Sequence, residues 1–296
     1  MYKNNVDNKK FAVIGTGVVG TAIVLLLEEA GYKCIGVNTR SRNSYYNFTK
    51  YIYRDHLQLE EIVQKADIIF ITTQDSEIER VAEELSALKK HLSGQVWVHC
   101  SGAIKAGVMC RDANLSVRYL SIHPLQAFAD VESALTLING THFGIEGGDR
   151  EIEQFGEILV KNIGGIPHRI KPQNKALYHA GAVAASNYMV SLASLAVKFF
   201  TLAGISKDDA IESLLPLMKG SFQNIENVGL PLALTGPIAR GDTEVVAKHL
   251  EQIPLELQDA YKSLGRLALE MGEERKIMNG QAYSIKEQRE FEHLLS

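Results

Sequence analysis

Gly15-Thr16-Gly17-Val18-Val19-Gly20 has the G-x-G-x-x-G spacing with which a backbone wraps a pyrophosphate. Gly15 permits the tight turn, Gly17 lets the main chain approach phosphates, and Gly20 admits close packing of a helix on a sheet. The anion then rests on the first helical turn, where unpaired N–H groups and the helix dipole favour negative charge. The motif follows the apolar run Phe11–Ile14 and opens the helical pattern Val18–Ala30, so it sits in strand–turn–helix context. A glycine turn that binds nothing is the competing reading. About 20 residues further on, an NAD site usually carries an acid for the ribose hydroxyls. Here the chain reads Asn38-Thr39-Arg40-Ser41-Arg42, and no acid occurs from Cys34 through Arg54. Arg40 and Arg42 suit a 2′-phosphate, with Thr39 and Ser41 adding hydroxyl donors. NADP (or NADPH) is the expected dinucleotide; an exposed basic loop is the alternative.

A second set of residues could move protons. His99-Cys100-Ser101-Gly102-Ala103 and Ile122-His123-Pro124-Leu125-Gln126 each close an apolar run, which places them at carboxyl ends of strands. Open α/β sheets bind ligands there. Lys175, His179 and Ser186 share one stripe of a helical pattern, with Asn187 to one side. A carbonyl or imine accepting hydride needs a proton, and histidine ordinarily titrates near neutrality. His123 and His179 are therefore the proton-transfer candidates, and Ser101 and Lys175 the candidates for orienting substrate. They are expected to line one cleft with Gly17, where strand ends face the start of the long helix. Ser101 with His123 could make a hydrolase pair, but no G-x-S-x-G elbow surrounds the serine. Plain packing or turn roles compete for each of these residues. Arg240, in the turn-rich Gly236-Pro237-Ile238-Ala239-Arg240-Gly241-Asp242, could hold an anion. No metal site is expected, since the ligand spacings of zinc and calcium motifs are absent.

The elements that must position these residues follow from periodicity. Apolar runs at Phe11–Ile14, Cys34–Val37, Asp67–Ile71, Val96–Val98, Val117–Ile122 and Phe143–Ile145 alternate with helical patterns. Such runs predict a doubly wound, mainly parallel sheet covered on both faces. Gly31 is placed to stop the first helix, and Asp75 to cap one running to about Lys90. Beyond Pro172 the pattern is helical throughout. Gln173–Ala203 reads as one helix about 45 Å long, Lys207 to about Asn224 as another with Pro216 inside it, then Asp242–Gln252 and Leu255–Met271, stopped by Gly272. The expected domains are 10–171, an α/β unit, and 172–296, an all-α unit.

The composition restricts the function classes. The 296 residues are 46% hydrophobic and 22% charged with a net charge of −4, ordinary for a globular chain and unfavourable for nucleic-acid binding. Three cysteines, Cys34, Cys100 and Cys110, lack a C-x-x-C pair, so a reducing cytoplasm is the expected setting. Met1–Lys10 reads as a polar tail without a signal-peptide core. The uncharged stretch Ala180–Val197 is rich in Ala and Ser, and reads as a closely packed helix rather than a membrane span. Its small-residue face would also suit a homodimer built on the helical domain.

Taken together, the glycine motif, His99–Ala103, His123–Gln126, Tyr178-His179-Ala180-Gly181-Ala182, Ser186-Asn187-Tyr188 and Gly236–Asp242 resemble a bacterial family. Its members join a Rossmann-like domain to a helical C-terminal domain of unknown function, and are labelled NADP oxidoreductases. The resemblance spans about Lys10 to Gly272. The family is similar in turn to pyrroline-5-carboxylate reductase, prephenate dehydrogenase and the β-hydroxyacid dehydrogenases. His123-Pro124 resembles the catalytic His-Pro of prephenate dehydrogenases. Lys175 matches the helix lysine of β-hydroxyacid dehydrogenases, with His179 where those carry asparagine. The Ser-Gly-Pro-Ala-Tyr signature of the reductase is missing. What the resemblance implies is an NADP-dependent oxidoreductase acting on a small carbonyl, imine or hydroxyacid. A non-catalytic NADP(H)-binding sensor or scaffold is the alternative, since fold alone does not separate the two.

Overall fold

The computed structural model describes residues 9–88 and 94–296. The start of the expected N-terminal tail and the expected helix end near Lys90 lie outside the described residues. The chain divides into two compact units, the first ending at Asn187 and the second running Tyr188–Ser296.

The first unit opens with β1 (Lys10–Ile14), α1 (Val18–Glu29), β2 (Lys33–Asn38), α2 (Arg42–Thr49), α3 (Leu59–Lys65), β3 (Ile68–Ile71) and α4 (Asp75–Ala87). It continues with β4 (Gln95–His99), β5 (Val117–Pro124), α5 (Val131–Leu137), β6 (His142–Gly147), α6 (Arg150–Asn162), β7 (Ile166–Arg169) and α7 (Lys175–Ala185). The strands form one sheet in the order β2-β1-β3-β4-β5-β6-β7. β1 to β5 run parallel, while β6 is antiparallel to β5 and carries β7 parallel to itself. The chain leaves β1 for β2 on one side and returns to β3 on the other. The carboxyl ends of β1 and β3 therefore flank the switch point at which such sheets bind ligands.

Alternate strand residues feed two cores. Phe11 and Val13, Ile68 and Phe70, Val96 and Val98, Leu120 and Ile122, Phe143 and Ile145 join helices α1 and α6 on one face. Ala12 and Ile14, Ile69 and Ile71, and Trp97 face α3 and α4 on the other. Side chains must alternate along a strand, so a sheet apolar on both faces is a sheet covered on both faces. Gly31 follows the α1 C-cap at φ +91°, as expected of a C′ glycine.

Some sequence expectations are corrected in the first unit. Asp75 is the first residue of α4 rather than its cap, and Gln74 takes the N-cap position. The edge strand β7 contains Pro167, which lowers its strand signal and is tolerated because an edge has one unpaired side. The 30-residue helix expected over Gln173–Ala203 is interrupted at Ser186, whose ψ of −71° departs from helical values. The Ser186 hydroxyl bonds back to the Ala182 carbonyl at 2.8 Å. The boundary between the units falls just after this break, so α7 belongs to the unit that contains the sheet.

The second unit contains α8 (Asn187–Leu202), α9 (Lys207–Val228), α10 (Pro237–Arg240), α11 (Thr243–Gln252), α12 (Leu255–Met278) and α13 (Ile285–Leu295). α9 runs unbroken through Pro216. α12 continues seven residues beyond the expected end at Met271, because Gly272 is a packing residue and not a stop. The Tyr283 hydroxyl lies 2.1 Å from where a Gly272 Cβ would be, and it donates to the Ile238 carbonyl at 2.7 Å. A small buried cluster here joins Val246, Tyr283, Phe291 and Leu295. α8 buries no residue, so the Ala180–Val197 stretch is not the packed interior helix the sequence suggested. Pro172–Leu202 is long and apolar enough by composition to cross a membrane, and its most apolar 18-residue window buries no residue. The break at Ser186 divides it into helices of 11 and 16 residues, each shorter than the ~20 a span needs.

Gly272→Ala is expected to force the Tyr283 ring aside and break its bond to Ile238. Overpacking of this kind costs about 1–3 kcal/mol, readable as a lower denaturation midpoint in urea with an unchanged slope.

Candidate functional site

The glycine turn begins where β1 ends. Gly15 has φ +103°, and a Cβ there would stand 2.9 Å from the Thr72 carbonyl group, so only glycine fits. A Cβ on Gly20 would lie 2.0 Å from the Gly15 carbonyl oxygen, which explains the close approach of α1 to the turn. Gly17, the N-cap of α1, has no atom within 4 Å of its would-be Cβ. Packing within the fold does not require glycine at this position. No acid occupies the first turn of α1, leaving its N–H groups open to an anion. The Thr16 and Thr73 hydroxyls beside the turn are buried and lack a hydrogen-bond partner among the described residues, although such groups normally have one. Free N–H groups, orphaned hydroxyls and an open glycine suit a pyrophosphate. Val18 and Val19 begin α1 behind them.

The basic segment stands at the end of β2. The Asn38 amide donates to the Leu57 carbonyl at 2.7 Å, and the Thr39 carbonyl lies 2.9 Å from His56 Nε2. Ser41 caps α2 by accepting from the Ser44 N–H, and Arg42 is the first residue of that helix. Arg40 and Arg42 are both exposed. Arg40 pairs with Glu77 of α4 at 3.0 Å. The sequence stretch without acids thus receives an acid from elsewhere in the fold.

The histidines lie on the face of the sheet where apolar cover gives way to polar residues. Register pairs His99 with Ser121, Ser121 with Glu146, and His123 with Gly144. These residues share the face that carries Trp97 and Ile71 further along. Helix α7 supplies their partners. The Lys175 ammonium is buried and donates to Glu146 Oε2 at 3.1 Å and to the Ser121 hydroxyl. Glu146 Oε2 also accepts the Ala106 N–H at 2.7 Å. Burial pushes the Lys175 pKa down, and Glu146 resists that shift.

One turn along α7, Tyr178 and His179 reach His123. The Tyr178 phenol oxygen is 3.0 Å from His123 Nδ1, and the His123 and His179 ring centroids are 5.9 Å apart. Two glycines make the room. A Cβ on Gly102 would come within 2.6 Å of His179 and 2.8 Å of His123, and one on Gly144 within 2.5 Å of the Tyr178 hydroxyl. Burial, then the neighbouring His179 and Lys175, push His123 down to about 4. It is therefore neutral at pH 7, and does not titrate near neutrality as the sequence led one to expect. Burial pushes Tyr178 up to about 12, so it remains a phenol. His99 is completely buried and pushed down to about 3, chiefly by burial.

Ser101 and Lys175 hold structure together. The Ser101 hydroxyl donates to Asp75 at 2.7 Å and accepts the Ala103 and Ile104 N–H groups at 3.2 and 3.1 Å. It ties the β4 loop to the start of α4, and no histidine activates it. The Ser186 hydroxyl bonds to the Asn187 side chain at 2.8 Å, at the break that ends α7. Arg240 is paired with Asp242 at 2.7 Å. Among the described residues, no group of three or more metal-ligating side chains occurs.

Tyr178 and Glu146 were missed in the sequence reading. The available signal was alternation: Leu120-Ser121-Ile122-His123 and Phe143-Gly144-Ile145-Glu146 each place polar or small residues on every second position. That pattern marks one sheet face that is not purely apolar.

Comparison with other proteins supports the fold. The Rossmann-like domain model matches residues 4–124, and a domain of unknown function (DUF2520) matches residues 141–268. No curated protein sequence matches the chain. Among solved structures, protein TM1727 from Thermotoga maritima is 27% identical, with a TM-score of 0.68 over 89% of this chain and 98% of its own. The "putative NADP oxidoreductase BF3122" from Bacteroides fragilis is 20% identical, with a TM-score of 0.71 over 90% of this chain and 100% of its own. Pyrroline carboxylate reductase from Plasmodium falciparum, solved with NADP bound, is 15% identical, with a TM-score of 0.58 over 98% and 99% of the two chains. The last two share the fold. The chain thus joins a Rossmann-like domain to a DUF2520 domain, the pairing its sequence motifs resemble.

Proposed function

We propose that the protein is an NADP-dependent oxidoreductase that moves hydride to or from a small carbonyl, imine or hydroxyacid. The observation that carries this reading is the sterically unrestricted Gly17 at the switch point of the sheet, beside the Thr16 and Thr73 hydroxyls, which have no partner among the described residues. When bound, the dinucleotide supplies or accepts the hydride. Gly15, Gly17 and the first turn of α1, including Val18 and Val19, would hold its pyrophosphate. Thr39, Arg40, Ser41 and Arg42 would hold its 2′-phosphate. His123 and His179 stand on the strand end and helix that close the same carboxyl edge of the sheet, where they would meet the substrate. Similarity in fold to NADP-dependent reductases supports the assignment.

A sensor or scaffold that binds NADP(H) without turnover is the second reading. It is favoured by the hydroxyl of Ser101 and the ammonium of Lys175, both engaged in internal hydrogen bonds. NADPH oxidation across a panel of keto acids, imines and aldehydes, run beside a direct binding assay, separates the two. A cytoplasmic setting fits the three free cysteines.

We also propose a homodimer through the helical region. α8 exposes Tyr188, Val190 and Leu192 and buries none of its residues, and α9 exposes Leu215, Leu217 and Phe222. Apolar surface of this extent is costly to leave in water, and the small-residue face about Ala180–Ala196 allows helices to approach closely. Light scattering at micromolar concentration is expected to give twice the chain mass of 32.7 kDa; a monomer mass rejects the dimer.

Gly17→Asp is expected to leave the fold intact, since its side chain meets nothing, and to abolish dinucleotide binding by setting a carboxylate against the pyrophosphate. A fluorescence titration with NADPH showing unchanged affinity in the folded variant would remove the cofactor assignment.

Replacing Arg40 and Arg42 by Ala is expected to weaken NADP far more than NAD, by roughly 1–3 kcal/mol for each charge-assisted hydrogen bond removed. Glu77→Gln releases Arg40 from its ion pair and is expected to tighten NADP binding. Equal affinities of the unmodified protein for NAD and NADP would defeat the preference.

A further inference from the structure

The phenol of Tyr178 is the nearest polar partner of the His123 ring, on a helix fixed to the sheet one turn earlier by Lys175. We propose that Tyr178 is a positioning residue that locks His123 in the Nε2–H tautomer, so that a neutral imidazole presents a fixed N–H donor over the Gly102 turn. Only the identity of the acceptor, the oxygen or nitrogen of a carbonyl, imine or hydroxyacid substrate, rests on the function proposed above. The tautomer assignment stands on the geometry of the free protein.

Three observations carry it. First, the hydrogen bond is at Nδ1, 3.0 Å from the phenol oxygen, and the rings meet edge-on at 86°. A phenol is a much stronger acid than a neutral imidazole N–H, so the O–H donates and Nδ1 accepts with its lone pair. One nitrogen of a neutral imidazole must carry the proton, and acceptance at Nδ1 leaves it on Nε2. Second, the phenol is held in place on its other side. It rests on Gly144, where any Cβ would come within 2.5 Å of its oxygen, so the position is reserved for this packing. Third, the Cε1–Nε2 edge of the ring, away from the phenol, faces Gly102, each atom 2.8 Å from the point a Cβ would occupy. The missing side chain lets this edge of the ring, and His179 beside it, pack directly on the Gly102 main chain.

The groups facing the ring are Tyr178 and His179 from α7, Lys175 from the same helix, His99 from β4 and Asp75 from α4. Burial, then His179 and Lys175, outweigh Asp75, which keeps the ring neutral and makes its tautomer the property that matters.

The test is side-chain 15N NMR of the full-length protein labelled at histidine, with the His123 signals identified by their loss in His123→Gln. The expected spectrum at pH 7 has an unprotonated, acceptor-type Nδ1 and a protonated Nε2, widely split. In Tyr178→Phe that split is expected to collapse toward a mixture of tautomers, and Gly144→Ala, which displaces the phenol without deleting it, is expected to do the same. A protonated Nδ1 in the unmodified protein overturns the proposal. So does an unchanged split in Tyr178→Phe. If neither variant folds, the unmodified protein's tautomer alone decides. NADPH titration of the same samples reports separately on the dinucleotide assignment, so the failure of one reading is distinguishable from failure of the other.

Discussion

The buried ion pair between Lys175 and Glu146 is the interaction on which the histidine site depends. Both side chains are almost wholly withdrawn from water, and their separation is 3.1 Å. Desolvating two charges is expensive, and such a pair is often no more stabilising than the apolar residues that could replace it. Removing one partner is different, because it strands a buried charge and costs about 3–5 kcal/mol. The pair therefore serves as a registration point. Lys175 is the first residue of α7, Glu146 lies in β6, and the Ser121 hydroxyl of β5 and the Ala106 N–H complete their hydrogen bonds. With that end fixed, the helical repeat places Tyr178 and His179 one turn further on.

The consequence is a polar strip on a sheet that is otherwise apolar on both faces. His99, Ser121, His123 and Glu146 occupy alternate positions on three neighbouring strands, the same face that carries Ile71 and Trp97 under α3 and α4. A polar strip inside a fold is tolerable only when its members satisfy one another. Here α7 and the β4 loop meet most of that demand. Gly102 and Gly144 contribute by lacking side chains, which lets two imidazoles and a phenol converge. Burial, with His179 and the Lys175 ammonium beside it, keeps His123 neutral, so the site offers a hydrogen-bond donor and not an imidazolium acid.

At the glycine turn the main chain is bonded, but the Thr16 hydroxyl and that of nearby Thr73 have no partner among the described residues, and no side chain caps the first turn of α1. The histidine strip is not fully satisfied either, since His99 Nε2 is buried without a partner among the described residues. Ser101 and Lys175, by contrast, are engaged in hydrogen bonds within the fold.

The sequence by itself determined the succession of elements in the first unit: each apolar run became a strand, and the glycine spacing became a turn into a helix. Those features are local, set by side-chain alternation, helical periodicity and the conformations open to glycine. It also singled out His123 and His179, the first because a histidine closing an apolar run must emerge at a strand end. Partners were not legible. Nothing near Lys175 in the chain points to Glu146, nothing near Arg40 points to Glu77, and Gly272 looks like a helix stop until Tyr283 is seen packed on it. Tertiary structure alone decided these, since each is a distance between elements far apart in sequence. Whether a charge is buried and a ring neutral depends on what folds over it.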